Sequence, residues 1–247
     1  MRSDPDAVPS LVLTLRAAVA FLLLLPPLAL LLAVTRDVDR GGALVRRFTR
    51  WGLRIAGIDA EVRHGERIPD GGAVLVANHE SLADAVVLVG LLPGAPRFVA
   101  GHQWAGYPLI GTAIRRACCH VVDRGSYRSR AECGRVMETV VRDGITLFVF
   151  PEGTFLDTPG LLPFRSGAFR AAARSGRPIV PLVIRGTRAL LPANALRLRR
   201  ARVVVDVLEP LHPCGDARAD VSALRDAAWQ QIAMALGERT ATPTGYR

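Results

Sequence analysis

The sequence predicts an α/β fold: a largely parallel central sheet flanked by helices, preceded by an N-terminal membrane-embedded helix or helical hairpin. Three observations predict it. From about residue 40 onward, short β-branched runs alternate with helical patterns, as they do where crossover helices link parallel strands. The runs are apolar at consecutive positions, which suits strands covered on both faces. Residues 17–34, AAVAFLLLLPPLALLLAV, hold no charge over 18 positions, about 27 Å of helix.

Taken in order, the elements begin with that segment. Adding residues 11–16, with Arg16 snorkelling, lengthens it to about 36 Å, enough to cross a bilayer with some tilt. Pro26 and Pro27 fall in its middle and are expected to kink it, so a hairpin dipping into one leaflet competes with a span. A cleaved signal peptide fits less well, because the stretch is long and no A-x-A site closely follows it. Arg36, Arg40, Arg46, Arg47 and Arg50 follow the segment, whereas only Arg2 and Arg16 precede or open it. By the positive-inside rule the rest of the chain faces the cytoplasm from the cytoplasmic membrane. Residues 1–40 thus read as an anchor and 41–247 as one domain. Within it, strands are expected at 73–77 (AVLVA), 97–100, 120–123, 146–150 (TLFVF), 179–184 and 203–208 (VVVDVL). Helices are expected at 42–57, 82–92, 107–116, 128–142, 167–175 and 220–236, followed by a short mobile tail.

Composition narrows the function. The 247 residues are 50% hydrophobic, and a chain of this length buries roughly three quarters of its unfolded surface. Disordered, collagen-like and disulfide-scaffold classes are excluded. All 32 basic residues are Arg, so a catalytic lysine, a Schiff base and a P-loop are excluded too. The net charge of +10 is spread along the chain, with small clusters at 46–50 and 197–202, and aromatic residues are only 6%. Zinc-finger, basic-zipper and RNA-recognition signatures are missing, so the charge suits anionic lipids and substrates better than nucleic acid. Cys118, Cys119, Cys133 and Cys214 have no CxxC spacing, and with His120 and His212 they make a poor metal set. No metal is expected, and the cysteines read as buried thiols in a reducing compartment.

In parallel sheets, chemistry gathers where strands end. The strand at 73–77 runs into Asn78-His79-Glu80-Ser81-Leu82-Ala83-Asp84. On one continuous helix, positions five apart lie some 140° apart. His79 and Asp84 therefore meet only if His79 lies on the turn and Asp84 in the first turn of the next helix, with Ser81 as a cap. A carboxylate there would hold the imidazole in one tautomer for general-base work. The same S-x-x-D spacing is a capping box, in which Asp84 merely bonds back to the helix start. Phe150-Pro151-Glu152-Gly153-Thr154 leaves the strand at 146–150 with backbone N–H groups able to cradle an anion. Val122-Asp123-Arg124 delivers an arginine to the same edge, and Pro163-Phe164-Arg165-Ser166 forms a basic turn opening a helix. Arginine suits bidentate phosphate contact.

These blocks, in this order and followed by Pro178-Ile179-Val180-Pro181, resemble those of the glycerophospholipid acyltransferase family over about residues 45–210. Asn78, His79 and Asp84 match its NHxxxxD pattern, Arg124 its arginine block, and Phe150 to Thr154 its FPEGT block. The resemblance implies that His79, oriented by Asp84, deprotonates a lysolipid hydroxyl, which attacks the thioester of an acyl-CoA or acyl carrier protein. The expected product is phosphatidate, made from 1-acylglycerol 3-phosphate. No cofactor beyond the acyl donor is implied; the partners are membrane lipid, lysolipid and that donor. Asn78, Arg124, Glu152, Gly153, Thr154 and Arg165 become substrate-binding candidates, and Ile179, Val180 and Pro181 acyl-pocket candidates. One position departs from the pattern: many members carry Arg directly after FPEGT, where this chain has Phe155. Another acceptor, such as an ornithine lipid precursor, is the alternative. A lipid hydrolase fits less well, because no G-x-S-x-G elbow occurs. A non-catalytic basic membrane or DNA-binding protein would leave the strand-end cluster unexplained.

Overall fold

The computed structural model describes residues 9–101, 111, 118–122, 127–155 and 160–237. Helix α1 (Leu11–Val34) is continuous through Pro26 and Pro27. The reversal expected at the prolines lies instead at residues 35–37, after which α2 (Val38–Ala56) returns along α1. Leu28 and Leu32 pack against Val45 and Phe48. A proline removes one donor and bends the helix axis, but the neighbouring turns can carry a helix past it. Asp37 starts the new direction, its Oδ1 accepting from the Arg40 N–H at 2.9 Å. That hydrogen bond holds the Asp37 carboxyl below its ordinary range.

Both ends of this hairpin are tied to the domain. The Ser10 N–H donates to the Leu198 carbonyl at 2.9 Å, and the Leu198 N–H donates to Thr14 Oγ1 at 3.0 Å. At the other end, Arg97 reaches Asp39 at 2.6 Å. Leu13 and Leu53 belong to the same buried cluster as the sheet. In this packing α1 lies along the domain with both ends on one side of it. A span with its ends on opposite sides of a bilayer would break these contacts.

The sheet follows: β1 (Asp59–Arg63), β2 (Val74–Ala77), β3 (Arg97–Gly101), β4 (Cys118–Val122), β5 (Leu147–Val149), β6 (Ile179–Arg185) and β7 (Arg202–Val207). Their order is β1-β7-β6-β2-β5-β3-β4, and every pairing is parallel except β6 with β7. The helices are α3 (Ala83–Leu91), α4 (Tyr127–Arg142), α5 (Gly167–Ser175), the single turn α6 (Thr187–Leu190) and α7 (Arg218–Leu236). β7 turns back antiparallel on β6, and the connection between them, residues 186–201, holds the single turn α6. The strand β1 was not among those expected from the sequence, although Ile58, Ala60 and Val62 alternate with Asp59, Glu61 and Arg63. The expected helix at 107–116 lies outside the described residues, apart from residue 111.

Strand alternation divides the core in two. Val74, Val76, Leu147, Ile179 and Val183 pack with α4, α5 and α7, around Phe169 and Trp229. Ala73, Leu75, Ala77, Phe148, Val180, Leu182 and Ile184 pack on the other face with α3 and the hairpin. The sheet is thus covered on both sides, as its continuous apolar runs require. Most of the outward face of α1 stays bare: Leu22, Leu23, Leu30 and Val34 are among its exposed residues. By length and mean hydropathy, α1 is apolar enough to cross a membrane.

Candidate active site

The site forms where β2, β5 and β6 end. Asn78, the first residue past β2, extends the ladder with its side chain. Its Nδ2 donates to the Ile184 carbonyl at 2.9 Å, and the Ile184 N–H donates to its Oδ1 at 2.8 Å. An amide side chain thus does what a backbone peptide would do one residue further on, and it fixes where His79 begins. The loop after β5 fixes it from the other side. Glu152 Oε1 accepts from the His79 N–H at 2.7 Å, and Oε2 accepts from the Leu162 N–H at 2.8 Å. The Asn78 and Glu152 side chains are therefore engaged with the chain itself, and they clamp the loop that carries His79.

Between these clamps, His79 Nδ1 lies 2.8 Å from Asp84 Oδ2. The same oxygen accepts from the Glu80 N–H at 2.7 Å and the Ser81 N–H at 3.0 Å. The capping and the imidazole-orienting arrangements coexist on one oxygen, because His79 sits on the turn and Asp84 is the second residue of α3. Asp84 is fully buried, and its Oδ1 has no hydrogen-bond partner. With Nδ1 donating to the carboxylate, Nε2 carries the free lone pair. Ser81 locks the turn, donating from Oγ to the Leu191 carbonyl at 2.6 Å and accepting from the Ala83 N–H at 3.1 Å.

Two rings wall the imidazole. Phe150 stacks on it at 3.9 Å between centroids and 12° between planes, and Phe155 meets it edge-on at 4.7 Å. His79 keeps a side-chain exposure of 16%, so the base is partly dry yet reachable. Neither ring contact has a local sequence signal, since each depends on where β5 delivers its loop.

The guanidinium of Arg165 lies over Gly153. A Cβ there would stand 2.8 Å from Arg165 Nε, and the backbone φ of +77° favours glycine independently. Arg165 and Thr154 are both exposed, beside the Glu152 that holds His79. The structure therefore gathers His79, Asp84, Asn78, Glu152, Gly153, Thr154 and Arg165. Arg124 lies outside the described residues. Ile179, Val180 and Pro181 are buried in β6, Ile179 and Val180 in opposite halves of the core, and not at the strand end where His79 stands. Among the described residues, no three His, Cys, Asp or Glu side chains are grouped to hold a metal ion. Cys133 and Cys214 are free thiols, the first buried and the second exposed.

A family model described as Acyltransferase matches residues 59–185, over half of the chain. The chain belongs to the acyltransferase family. The 1-acyl-sn-glycerol-3-phosphate acyltransferase of Cocos nucifera is 32% identical over 148 residues, 60% of this chain and 48% of that protein. The beta form of Homo sapiens is 30% identical over 188 residues, 75% and 66% of the two chains. A probable 1-acyl-sn-glycerol-3-phosphate acyltransferase of Mycoplasma pneumoniae is 28% identical, over 73% and 72%. The chain spans about half the length of the plant relatives it matches. Its fold is that of the 1-acyl-sn-glycerophosphate acyltransferase PlsC of Thermotoga maritima: TM-score 0.73, 22% identity, 94% of this chain and 98% of that one. The matched residues 59–185 hold the whole loop from Asn78 to Asp84 and the turn from Phe150 to Arg165.

Proposed function

We propose that this acyltransferase moves a fatty acyl group from acyl-CoA or acyl carrier protein to the free hydroxyl of 1-acylglycerol 3-phosphate, giving phosphatidate. The observation that carries the reading is the 2.8 Å contact between His79 Nδ1 and the buried Asp84, which leaves Nε2 as the base. Nε2 takes the acceptor's proton as its oxygen bonds to the thioester carbonyl carbon. The C–S bond then breaks, and the thiolate leaves with that proton. Such assistance contributes roughly 10²–10⁴-fold. Arg165 and Thr154 hold the acceptor's phosphate, with Gly153, whose N–H donates to the Phe150 carbonyl, giving the close turn over which Arg165 packs, and with Arg124 as a further candidate. The acyltransferase names of the relatives support the acceptor.

The bare apolar face of α1 supports membrane association, with the hairpin lying in one leaflet. Arg40, Arg46, Arg47, Arg50 and Arg54 on α2 suit the anionic inner leaflet, with the domain on the cytoplasmic side.

The test is to incubate the purified full chain with acyl-CoA or acyl carrier protein and a panel of lysolipids, reading products by mass spectrometry. Phosphatidate from lysophosphatidate, abolished by His79→Ala in a folded protein, is expected. Exclusive acylation of a lyso-ornithine lipid would overturn the acceptor. Free fatty acid formed equally without any lysolipid would overturn the transfer.

A further inference from the structure

A cleft of about 400 Å³ lies at the foot of α1, lined by Ser10, Arg16, Asp59, Leu190, Arg200 and Arg202 among others. A second groove, of about 520 Å³, adjoins it and is lined by Val12, Leu15, Arg16, Val19 and Ile55. The two share Val12 and Arg16, so a basic end opens into an apolar trough along the bare face of α1. Neither cavity includes a residue of the site around His79. β1 and β7 run opposite to β6, so their first residues, Asp59 and Arg202, lie on the sheet edge that also carries His79. In the order β1-β7-β6-β2, the outermost of these strands is three spacings from β2, about 14 Å.

The charges of the cleft do not cancel. Arg202 is committed: it reaches Glu61 at 3.0 Å and Asp59 at 3.9 Å. Hydrogen bonding from Arg202, with Arg63, holds the Glu61 carboxyl below its usual range. Arg16 uses Nε to hydrogen-bond the Ile55 carbonyl at 3.0 Å, at the end of α2, and its guanidinium packs over Gly57. Its two terminal nitrogens meet no carboxylate among the described residues. Arg200 is exposed and forms no ion pair among them. Two cationic heads, Arg16 and Arg200, therefore stand over the cleft without a direct ion pair among the described residues, against the one carboxylate that lines it, Asp59, which lies 3.9 Å from Arg202. The trough beside them is lined by Val12, Leu15, Val19 and Ile55, between 40% and 62% exposed. A free anion would use only the first part of this arrangement.

We propose that the cleft and trough bind one anionic diacyl phospholipid, its phosphate on Arg16 and Arg200 and one acyl chain along Val12, Leu15, Val19 and Ile55. The site is separate from the catalytic one and does not depend on the acyl-transfer reading. Leu190, in its wall, directly precedes the Leu191 whose carbonyl holds Ser81.

The test uses the full chain carrying His79→Ala in nonionic detergent, so that turnover plays no part. It is titrated calorimetrically with dioctanoyl phosphatidylglycerol, dioctanoyl phosphatidylcholine and inorganic phosphate. Phosphatidylglycerol is expected to bind at one per chain, and the other two at least tenfold more weakly. Arg200→Gln removes a side chain with no protein partner and should weaken phosphatidylglycerol about fivefold, the worth of one arginine beside an anionic headgroup. Arg218→Gln, at the start of α7 on the opposite face of the sheet, should change nothing. An unchanged affinity in Arg200→Gln would overturn the proposal, as would an equal loss in Arg218→Gln, which would mean diffuse charge attraction. Phosphate binding as tightly as the lipid would reduce the site to one for free anions.

Discussion

Replacing Asp84 by Asn separates the two roles of a single oxygen. The Asn oxygen can still accept from Glu80 N and Ser81 N, now 2.7 and 3.0 Å from Oδ2. Its Nδ2 then takes the place of Asp84 Oδ1, which is buried without a partner. A buried unpaired donor costs roughly 1–3 kcal/mol, or about 2–12 °C in Tm for a chain of this size. The catalytic loss has a different origin: the amide oxygen at the Oδ2 position can still accept from Nδ1–H, but no negative charge remains to stabilise the imidazolium. It should be roughly 10²–10⁴-fold in kcat. Release of the acyl donor's thiol measures the rate, and thermal unfolding measures the fold. In a His79→Ala background, Asp84→Asn should lower Tm by the same amount yet change the residual rate by less than about threefold, because the two groups act as a unit. A folded Asp84→Asn enzyme within threefold of the parent turnover would refute the assignment of Asp84 as the group orienting the base. Rate losses that multiply in the double variant would refute it equally.

Other substitutions probe the surroundings. Phe150→Leu removes a ring stacked on the imidazole; such pairs contribute about 0.5–1.5 kcal/mol, so kcat should fall two- to tenfold with KM little changed. Arg165→Gln should lower kcat/KM for a phosphate-bearing acceptor about tenfold, at the low end of charge-assisted hydrogen bonding because the side chain is exposed, and should leave the acyl-donor KM alone. Gly90→Val places a Cβ 2.7 Å from Leu53 Cδ1 between α2 and α3, and denaturant titration should show a loss of about 1–3 kcal/mol. At Gly186, where φ is +90°, a Cβ would collide with the Arg202 carbonyl oxygen. Gly186→Ala should cost more than about 3 kcal/mol, read as loss of folded protein on expression.

The sequence is most legible where the physics is local. The β-branched runs mark β2, β5, β6 and β7 to within two residues, because a strand buried on both faces must be apolar throughout. The five-residue spacing from His79 to Asp84 requires a turn followed by a helix start, and that requirement comes from helix geometry alone. β1 escapes the same reasoning because it lies at the sheet edge, where its polar alternate residues resemble a loop. The partners of Asn78 and Glu152 were out of reach for another reason. Ile184 lies 106 residues from Asn78, and only the assembled sheet shows that Asn78 serves as a rung of the ladder. The charge of Arg16 was legible as a snorkelling residue, yet its role at the end of α2 depends on the hairpin reversing at residue 35 rather than at the prolines.

The hydrogen bond from Leu198 to Thr14 spans 184 positions, and this bears on the order of events during synthesis. α1 is made long before the loop that receives it exists, and its leucines stay exposed on the outward face even when it is docked. Contacts this distant in sequence form late. The Leu198–Thr14 hydrogen bond therefore ties the start of the chain to a loop that emerges only near its end, so the N-terminal helix takes its place on the domain after β6 has been made.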